Sequence, residues 1–96
     1  MIWNNCVMSY LYYTKHKAEE SIPCIVKIDE NQIIVEYDDD GLCQYIGPND
    51  GSGHFELDMQ GYNGRATLHR FPDGLMLEGS WIEDGEKGMW RIELLQ

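Results

Sequence analysis

The feature of this sequence that most constrains its fold is the regular spacing of its turn signals. Polar turn clusters, which contain glycine from residue 41 onward, interrupt the chain about every ten residues, and the stretches between them alternate apolar and polar residues. Alternation with a period of two places successive side chains on opposite faces of a strand, whereas a helix needs a period near 3.6. Helix-period stripes are nearly absent, so the pattern predicts an all-β protein.

Eight short strands are predicted between these turns. They cover residues 6–13, 22–28, 33–37, 42–46, 54–59, 65–71, 75–82 and 89–95. The connectors are too short for the crossovers that parallel strands need, so neighbouring strands should form antiparallel hairpins. We therefore expect an antiparallel meander that curls into a small barrel or a strongly twisted sheet; full closure would also remove exposed strand edges.

One face of each predicted strand supplies the expected core. Its inward residues are Val26, Ile28, Ile33, Val35, Phe55, Leu57, Ala66, Leu68, Leu77, Trp81, Trp90, Ile92 and Leu94. A chain of 96 residues has room for one domain around one such core. Within it, residues 1–21 form an aromatic strand with a polar connector, and residues 22–96 form the meander.

The composition is acidic, with 17 Asp and Glu against 7 Lys and Arg and a net charge of −10. This balance argues against direct binding to nucleic acids or to an anionic membrane surface, because both need clustered basic side chains. It suits solubility, a basic protein partner or mimicry of nucleic acid. The apolar N-terminal segment carries no positively charged n-region and no small-residue cleavage site, so we expect that it is not a signal peptide.

Three cysteines, Cys6, Cys24 and Cys43, form an odd set without a Cys-x-x-Cys pair. That spacing favours reduced thiols that pack as small apolar residues, and it predicts a cytoplasmic protein. No sequence motif indicates a metal or another cofactor.

Residues 73–81, which read DGLMLEGSW, are followed by Gly85 and Gly88. This stretch resembles a MORN repeat, and Tyr45-x-Gly47 with the pair Gly61 and Gly64 is similar to a degenerate preceding copy. The resemblance covers at most residues 45–90, and Leu77 stands where the family prefers Tyr. It implies tandem hairpins that contact proteins or lipids. A Gly-x-Trp near a strand is also found in lipocalin- and avidin-like barrels, which bind small apolar ligands.

An aromatic cluster lies near the N-terminus, where Trp3 precedes the first predicted strand and Tyr10, Tyr12 and Tyr13 belong to it. Aromatic side chains on both faces are typical of a strand buried on both sides and also of a strand covered by a partner chain. We expect a homodimer through this strand, because its apolar surface exceeds what one sheet face can bury.

The turn Asp38, Asp39 and Asp40 belongs to an acidic stretch without Lys or Arg. An EF-hand calcium loop that began at Asp38 would need Glu at its twelfth position, where Asn49 stands, so that motif is excluded. The turn is then either a solvated loop or a contact for a basic partner.

The densest polar group lies on the predicted outer face of the hairpin at residues 54–71. Its members are His54, Glu56, Asp58, Arg65, Thr67 and His69. Two histidines with carboxylates could bind a metal or transfer protons, although an ordinary solvated strand face has the same composition.

The register of this hairpin decides between those possibilities. A two-residue turn at Asn63-Gly64 would place Asp58 opposite His69, whereas a wider loop would place His54 opposite His69. Only the wider loop creates a credible metal site. We expect the tight turn, because Asn-Gly is the strongest turn signal in the chain, and hence no metal.

No catalytic constellation supports an enzyme. The sequence favours a non-enzymatic acidic module that binds another protein. Two alternatives stay open: a small β-barrel that holds an apolar ligand near Trp81 and Trp90, and an acidic inhibitor that imitates nucleic acid and blocks a basic groove.

Overall fold

The computed structural model describes residues 1–13 and 20–96. Eight antiparallel strands follow one another around a closed barrel, and the first also pairs with the last. They are β1 (Ile2–Tyr12), β2 (Glu20–Ile28), β3 (Gln32–Asp38), β4 (Leu42–Pro48), β5 (His54–Met59), β6 (Gly64–His69), β7 (Met76–Glu83) and β8 (Glu86–Glu93). The all-β meander is confirmed. Most of the predicted polar connector, residues 14–19, lies outside the described residues.

The barrel interior is filled with apolar side chains. Every predicted core residue is buried except Ile28, which is partly buried and packs against the core. Six further residues complete the core: Trp3, Cys6, Met8, Cys24, Tyr37 and Tyr45. An eight-stranded barrel encloses just enough space for its inward side chains. In the described part of the chain no helix is long and apolar enough to cross a membrane.

Strand β1 begins four residues earlier than predicted, at Ile2 instead of Cys6. Its pairing with β2 shifts register between Trp3 and Cys6, so two residues an odd number apart both point inward. A bulge adds one residue to a strand and interrupts the strict alternation, which is why the pattern missed this segment.

The β5–β6 hairpin adopts the wider of the two predicted registers. Asp58 lies opposite Arg65 and His54 opposite His69, so the expected two-residue turn at Asn63-Gly64 is wrong. The loop covers residues 60–63, and its left-handed position is Gly61, with φ of 82°.

Packing explains why glycine nevertheless stands at position 64. A Cβ atom on Gly64 would lie 2.9 Å from the Tyr45 hydroxyl and 3.0 Å from the Met59 Cβ. Gly64 is therefore needed where β6 passes over the core, and its backbone is not that of a turn. Glycine at position 64 is therefore explained by close packing in β6 and not by a positive φ in a turn.

Candidate functional site

Alternation of strand direction gathers one set of connections at one end of the barrel. The turns between β3 and β4, β5 and β6, and β7 and β8 meet there, together with the end of β1 and the start of β2. We call this the acidic end, defined by its seven described carboxylates: Glu20, Asp38, Asp39, Asp40, Glu83, Asp84 and Glu86.

Three large side chains stand exposed among these carboxylates. Tyr13 is 58% exposed, Leu42 is 71% exposed and Tyr62 is 72% exposed. Leu42 and Tyr62 border a depression of about 230 Å³, together with Asp39, Asp40 and Asp84. The acidic end therefore presents apolar contact area surrounded by negative charge.

Part of this acidity follows from turn chemistry. Asp40 and Asp84 adopt left-handed backbone conformations, with φ of 55° and 49°, and Asp is among the few residues that tolerate them. The carboxylate of Asp38 accepts the amide of Gly41 at 3.1 Å. Asp39 has neither a positive φ nor such a side-chain hydrogen bond to the turn among these contacts, so turn geometry does not account for its charge.

Two tyrosines, Tyr45 in the core and the partly buried Tyr10, support the carboxylates from below. Tyr10 donates its hydroxyl hydrogen to Glu20 at 2.7 Å, and Tyr45 donates to Glu83 at 2.7 Å. Burial, reinforced by the neighbouring carboxylate, raises the pKa of both tyrosines, which therefore stay neutral donors. These hydrogen bonds hold Glu20 and Glu83 in fixed positions at the rim.

The structure brings together most of the residues predicted to contact a partner. Tyr10 and Tyr12 reach the acidic end with Asp39, and their rings pack edge-on at 6.1 Å. Tyr12 also packs edge-on against Trp81 at 4.9 Å, so it belongs partly to the core. Tyr13 is the exposed aromatic residue among them.

Trp3 does not join this group. Its side chain is 4% exposed within the core near the opposite end, where the Arg70 guanidinium lies 5.2 Å from the ring centroid. A buried Trp3 cannot contact a partner without rearrangement of the core. Sequence reasoning missed Leu42, Tyr62, Glu83 and Asp84, although each stands in or beside a recognisable turn.

A second candidate site lies on the outer barrel wall, around the histidine pair of β5 and β6. The His54 Nδ1 and His69 Nε2 atoms are 2.7 Å apart, and the ring centroids are 4.6 Å apart. The His69 Nδ1 atom lies 3.3 Å from the carbonyl oxygen of Glu78, and the His54 Nε2 atom lies 3.6 Å from a carboxylate oxygen of Glu56.

This pair borders an open groove of about 760 Å³. Thr67, Glu78 and Ser80 form part of its lining, and Phe71 and Met89 contribute exposed apolar surface. We call it the histidine groove. It lies on the outside of the barrel, whereas the interior is filled.

The remaining polar residues of the predicted hairpin face lie beside the histidines without forming a larger cluster. Glu56 is opposite Thr67, and Asp58 is opposite Arg65. Within residues 1–13 and 20–96, no group of three or more His, Cys, Asp or Glu side chains is arranged to hold a metal ion. The hairpin therefore provides two imidazole side chains and not a complete set of protein ligands for a metal ion.

The opening of the barrel beside Trp81 and Trp90 is small. Its volume is about 50 Å³, and Tyr10, Tyr37 and Glu83 are among its lining residues. Ligand sites for drug-sized molecules commonly enclose about 300–1,000 Å³. An apolar ligand of that size would need rearrangement of these side chains.

Comparison with models of known protein families and with curated protein sequences finds no match for this chain.

Proposed function

We propose that this protein is a non-enzymatic binding module whose acidic end docks on a basic surface of another protein. The observation that carries the proposal is the convergence of seven carboxylates around exposed Tyr13, Leu42 and Tyr62. Charge complementarity accelerates encounter and rejects acidic competitors. Exposed aromatic and aliphatic side chains supply contact area that becomes buried when the partner binds.

The barrel holds this surface in a fixed arrangement, which supports the same function. The turns close short hairpins of a continuous barrel, and Tyr10 and Tyr45 hold two of the rim carboxylates through hydrogen bonds. A surface that is already ordered loses little conformational freedom on binding. The partner would therefore meet a preformed pattern of charge.

The test removes charge at the acidic end without disturbing the turns. A triple variant, Asp39→Asn, Asp40→Asn and Asp84→Asn, keeps side chains that tolerate the left-handed conformations of residues 40 and 84. Its matched control makes three neutralising changes at the opposite end: Asp29→Asn, Glu30→Gln and Asp73→Asn. Asp73 has a positive φ of 58°, so the control also places an asparagine at a left-handed position, at one site against two in the acidic-end variant.

A partner is first captured by crosslinking and identified by mass spectrometry, and its purified form is then titrated by calorimetry. The proposal requires that the acidic-end variant and Tyr62→Ala each weaken binding at least about tenfold, while the control variant binds as the natural protein does. Affinity should also fall as salt is raised. Equal losses in both triple variants, or a salt-independent affinity, would refute docking through this end.

The same purified partner discriminates the nucleic-acid-mimicking alternative. If duplex DNA displaces this protein from the partner, the acidic end occupies a nucleic-acid groove. If DNA does not compete, the partner's basic surface serves protein recognition alone.

A further inference from the structure

The histidine groove carries an inference that is independent of the acidic end. His54 and His69 lie directly opposite each other on neighbouring strands, so the barrel backbone fixes their separation. Their nearest ring nitrogens, Nδ1 of His54 and Nε2 of His69, are 2.7 Å apart. Two nitrogens at this distance need a hydrogen or a cation between them, since their lone pairs would otherwise repel.

The outer nitrogens of the two rings face acceptors. The Glu78 carbonyl oxygen, 3.3 Å from His69 Nδ1, can only accept a hydrogen bond, which places the hydrogen on Nδ1 and leaves Nε2 with a lone pair. The Glu56 carboxylate oxygen lies 3.6 Å from His54 Nε2, beyond hydrogen-bond distance, and attracts hydrogen to that nitrogen by charge alone. His69 Nε2 therefore offers an electron pair, and His54 Nδ1 offers one when the hydrogen of its neutral ring lies on Nε2. The hydrogen bond from His69 to the Glu78 carbonyl is of the kind that holds metal-bound histidines in place.

We propose that His54 Nδ1 and His69 Nε2 jointly bind one divalent transition-metal ion of the class that prefers imidazole, such as Zn²⁺ or Cu²⁺. A Zn–N bond of about 2.0–2.1 Å at tetrahedral angles places two ligand nitrogens about 3.4 Å apart. The observed 2.7 Å then has to increase by about 0.7 Å, which small side-chain rotations provide because both histidines lie on the exposed outer wall.

The surroundings place carboxylates next to the histidines and leave room for further ligands. Glu56 lies beside His54 and Glu78 is the cross-strand neighbour of His69, while Arg91 lies opposite Glu78 and Arg70 lines the adjoining groove. With two protein ligands, the remaining coordination positions fall to water or to a molecule in the adjoining groove of about 760 Å³. Such an open site binds metal more weakly than a four-ligand structural site and can accept an external ligand.

Backbone hydrogen bonds near the two histidines hold the pair in position before any metal binds. The Ser52 hydroxyl accepts the His54 amide at 3.2 Å, and the Gly53 carbonyl accepts the Arg70 amide at 2.8 Å beyond His69. The second bond extends the pairing of β5 and β6 one step past the histidines, and the first holds the start of β5 locally, so neither ring lies at a loosely held strand end. Little ordering is therefore required when the metal binds.

The experiment titrates tag-free protein with ZnCl₂ and separately with CuCl₂ by calorimetry, and follows the histidine ring nitrogens by ¹⁵N NMR. The expected result is one ion per chain, with His54 Nδ1 and His69 Nε2 shifting most. Cu²⁺ should bind more tightly than Zn²⁺, as imidazole sites generally require. Mg²⁺ and Ca²⁺, which prefer oxygen ligands, should not compete.

Three variants make the assignment specific. His54→Gln and His69→Gln should each weaken Zn²⁺ binding at least about tenfold while thermal unfolding stays close to that of the natural protein. The matched control is His16→Gln, the third histidine of the chain, which should leave the affinity unchanged. The acidic-end triple variant should also bind Zn²⁺ normally, which separates this site from the proposed docking surface.

Two results would overturn the proposal. One is the absence of saturable Zn²⁺ and Cu²⁺ binding by the folded natural protein. The other is binding that survives in both His54→Gln and His69→Gln, because the metal would then lie elsewhere.

Discussion

Gly79 on β7 lies directly opposite Trp90 on β8, and both residues lie next to the backbone carbonyl of Thr67 on β6. The Trp90 indole donates to the Thr67 carbonyl oxygen at 3.0 Å, and a Cβ atom on Gly79 would lie 1.8 Å from that oxygen. The missing side chain at position 79 therefore lets β6 approach closely enough for this hydrogen bond. Only glycine fits without movement of the backbone.

Replacement of Gly79 by Ala should consequently destabilise the barrel. Overpacking against backbone commonly costs about 1–3 kcal/mol, and here the hydrogen bond to Trp90 is disturbed as well. Urea unfolding followed by tryptophan fluorescence measures the change. The neighbouring Ser80→Ala replacement, on the exposed face, serves as the control; equal stability of the two variants would contradict this role for Gly79.

Truncation of Trp90 should be more damaging. Trp90 is buried and packs against Tyr45 with ring centroids 5.2 Å apart. We expect Trp90→Ala to cost about 3–5 kcal/mol, a large share of the stability of a small domain. Calorimetric melting should show a much lower midpoint or no cooperative transition. Met89→Ala, at the adjacent and 42% exposed position, should melt nearly as the natural protein does.

The three free thiols should differ in reactivity. Cys24 is buried opposite Cys6 in the barrel, and burial raises the pKa of Cys24 to about 12. Burial also raises the pKa of Cys43, but this residue is only partly buried. Because the thiolate is the reactive species, iodoacetamide at pH 8 should modify Cys43 first.

Peptide mass spectrometry at successive times measures that order. In concentrated guanidinium all three cysteines should react at similar rates. Native-state modification of Cys24 as fast as that of Cys43 would show that the barrel opens far more readily than its packing indicates.

The ion pair between Lys27 and Glu36 should contribute to stability above acidic pH. The Lys27 ammonium lies 2.9 Å from Glu36, which also accepts from Gln44 at 3.2 Å. These contacts lower the pKa of Glu36 from its ordinary 4.5, and the hydrogen bond from Lys27 has the largest effect. A lowered carboxyl pKa adds stability that is complete above the unfolded value of 4.5 and is lost as pH falls through the folded value.

We therefore expect Glu36→Gln to be less stable than the natural protein near pH 6 by at most about 1 kcal/mol, as is usual for surface pairs. The difference should shrink as urea titrations are repeated down to pH 3. Glu30→Gln, in the neighbouring turn, controls for the general loss of one negative charge. A difference that grows on acidification would reverse the assigned sign.

Self-association, if it occurs through β1, must use its outer face. Both edges of β1 are already paired, to β2 and to β8, and Leu11 stands opposite Met89 with both side chains exposed. We predict a twofold dimer through this patch at high micromolar concentration, measured by sedimentation velocity. Leu11→Glu should give monomers, whereas Leu42→Glu, at an equally apolar position on another strand, should not. A natural protein that sediments as a monomer would refute the dimer.

Much of this architecture followed from the sequence alone. Alternation with a period of two predicted inward residues correctly in six of the eight strands, because a strand side chain has only two directions to point; the core residues of β1 and β4 were missed. Asp84-Gly85 marked its turn correctly, since both residues adopt positive φ there. Short connectors excluded parallel pairing. These properties are local and can therefore be read from neighbouring residues.

Tertiary structure decided the rest. Closure of β1 on β8, the bulge between Trp3 and Cys6, and the gathering of distant turns into the acidic end depend on contacts between residues far apart in sequence. The histidine pair depends on the strand register. The Asn63-Gly64 pattern predicted a tight turn there, but Gly64 lies in β6, where the absence of a side chain leaves room for the Tyr45 hydroxyl. A shift of hairpin register leaves local propensities almost unchanged while it changes every cross-strand neighbour. That is why the sequence supplied both histidines, and only the folded barrel placed them together.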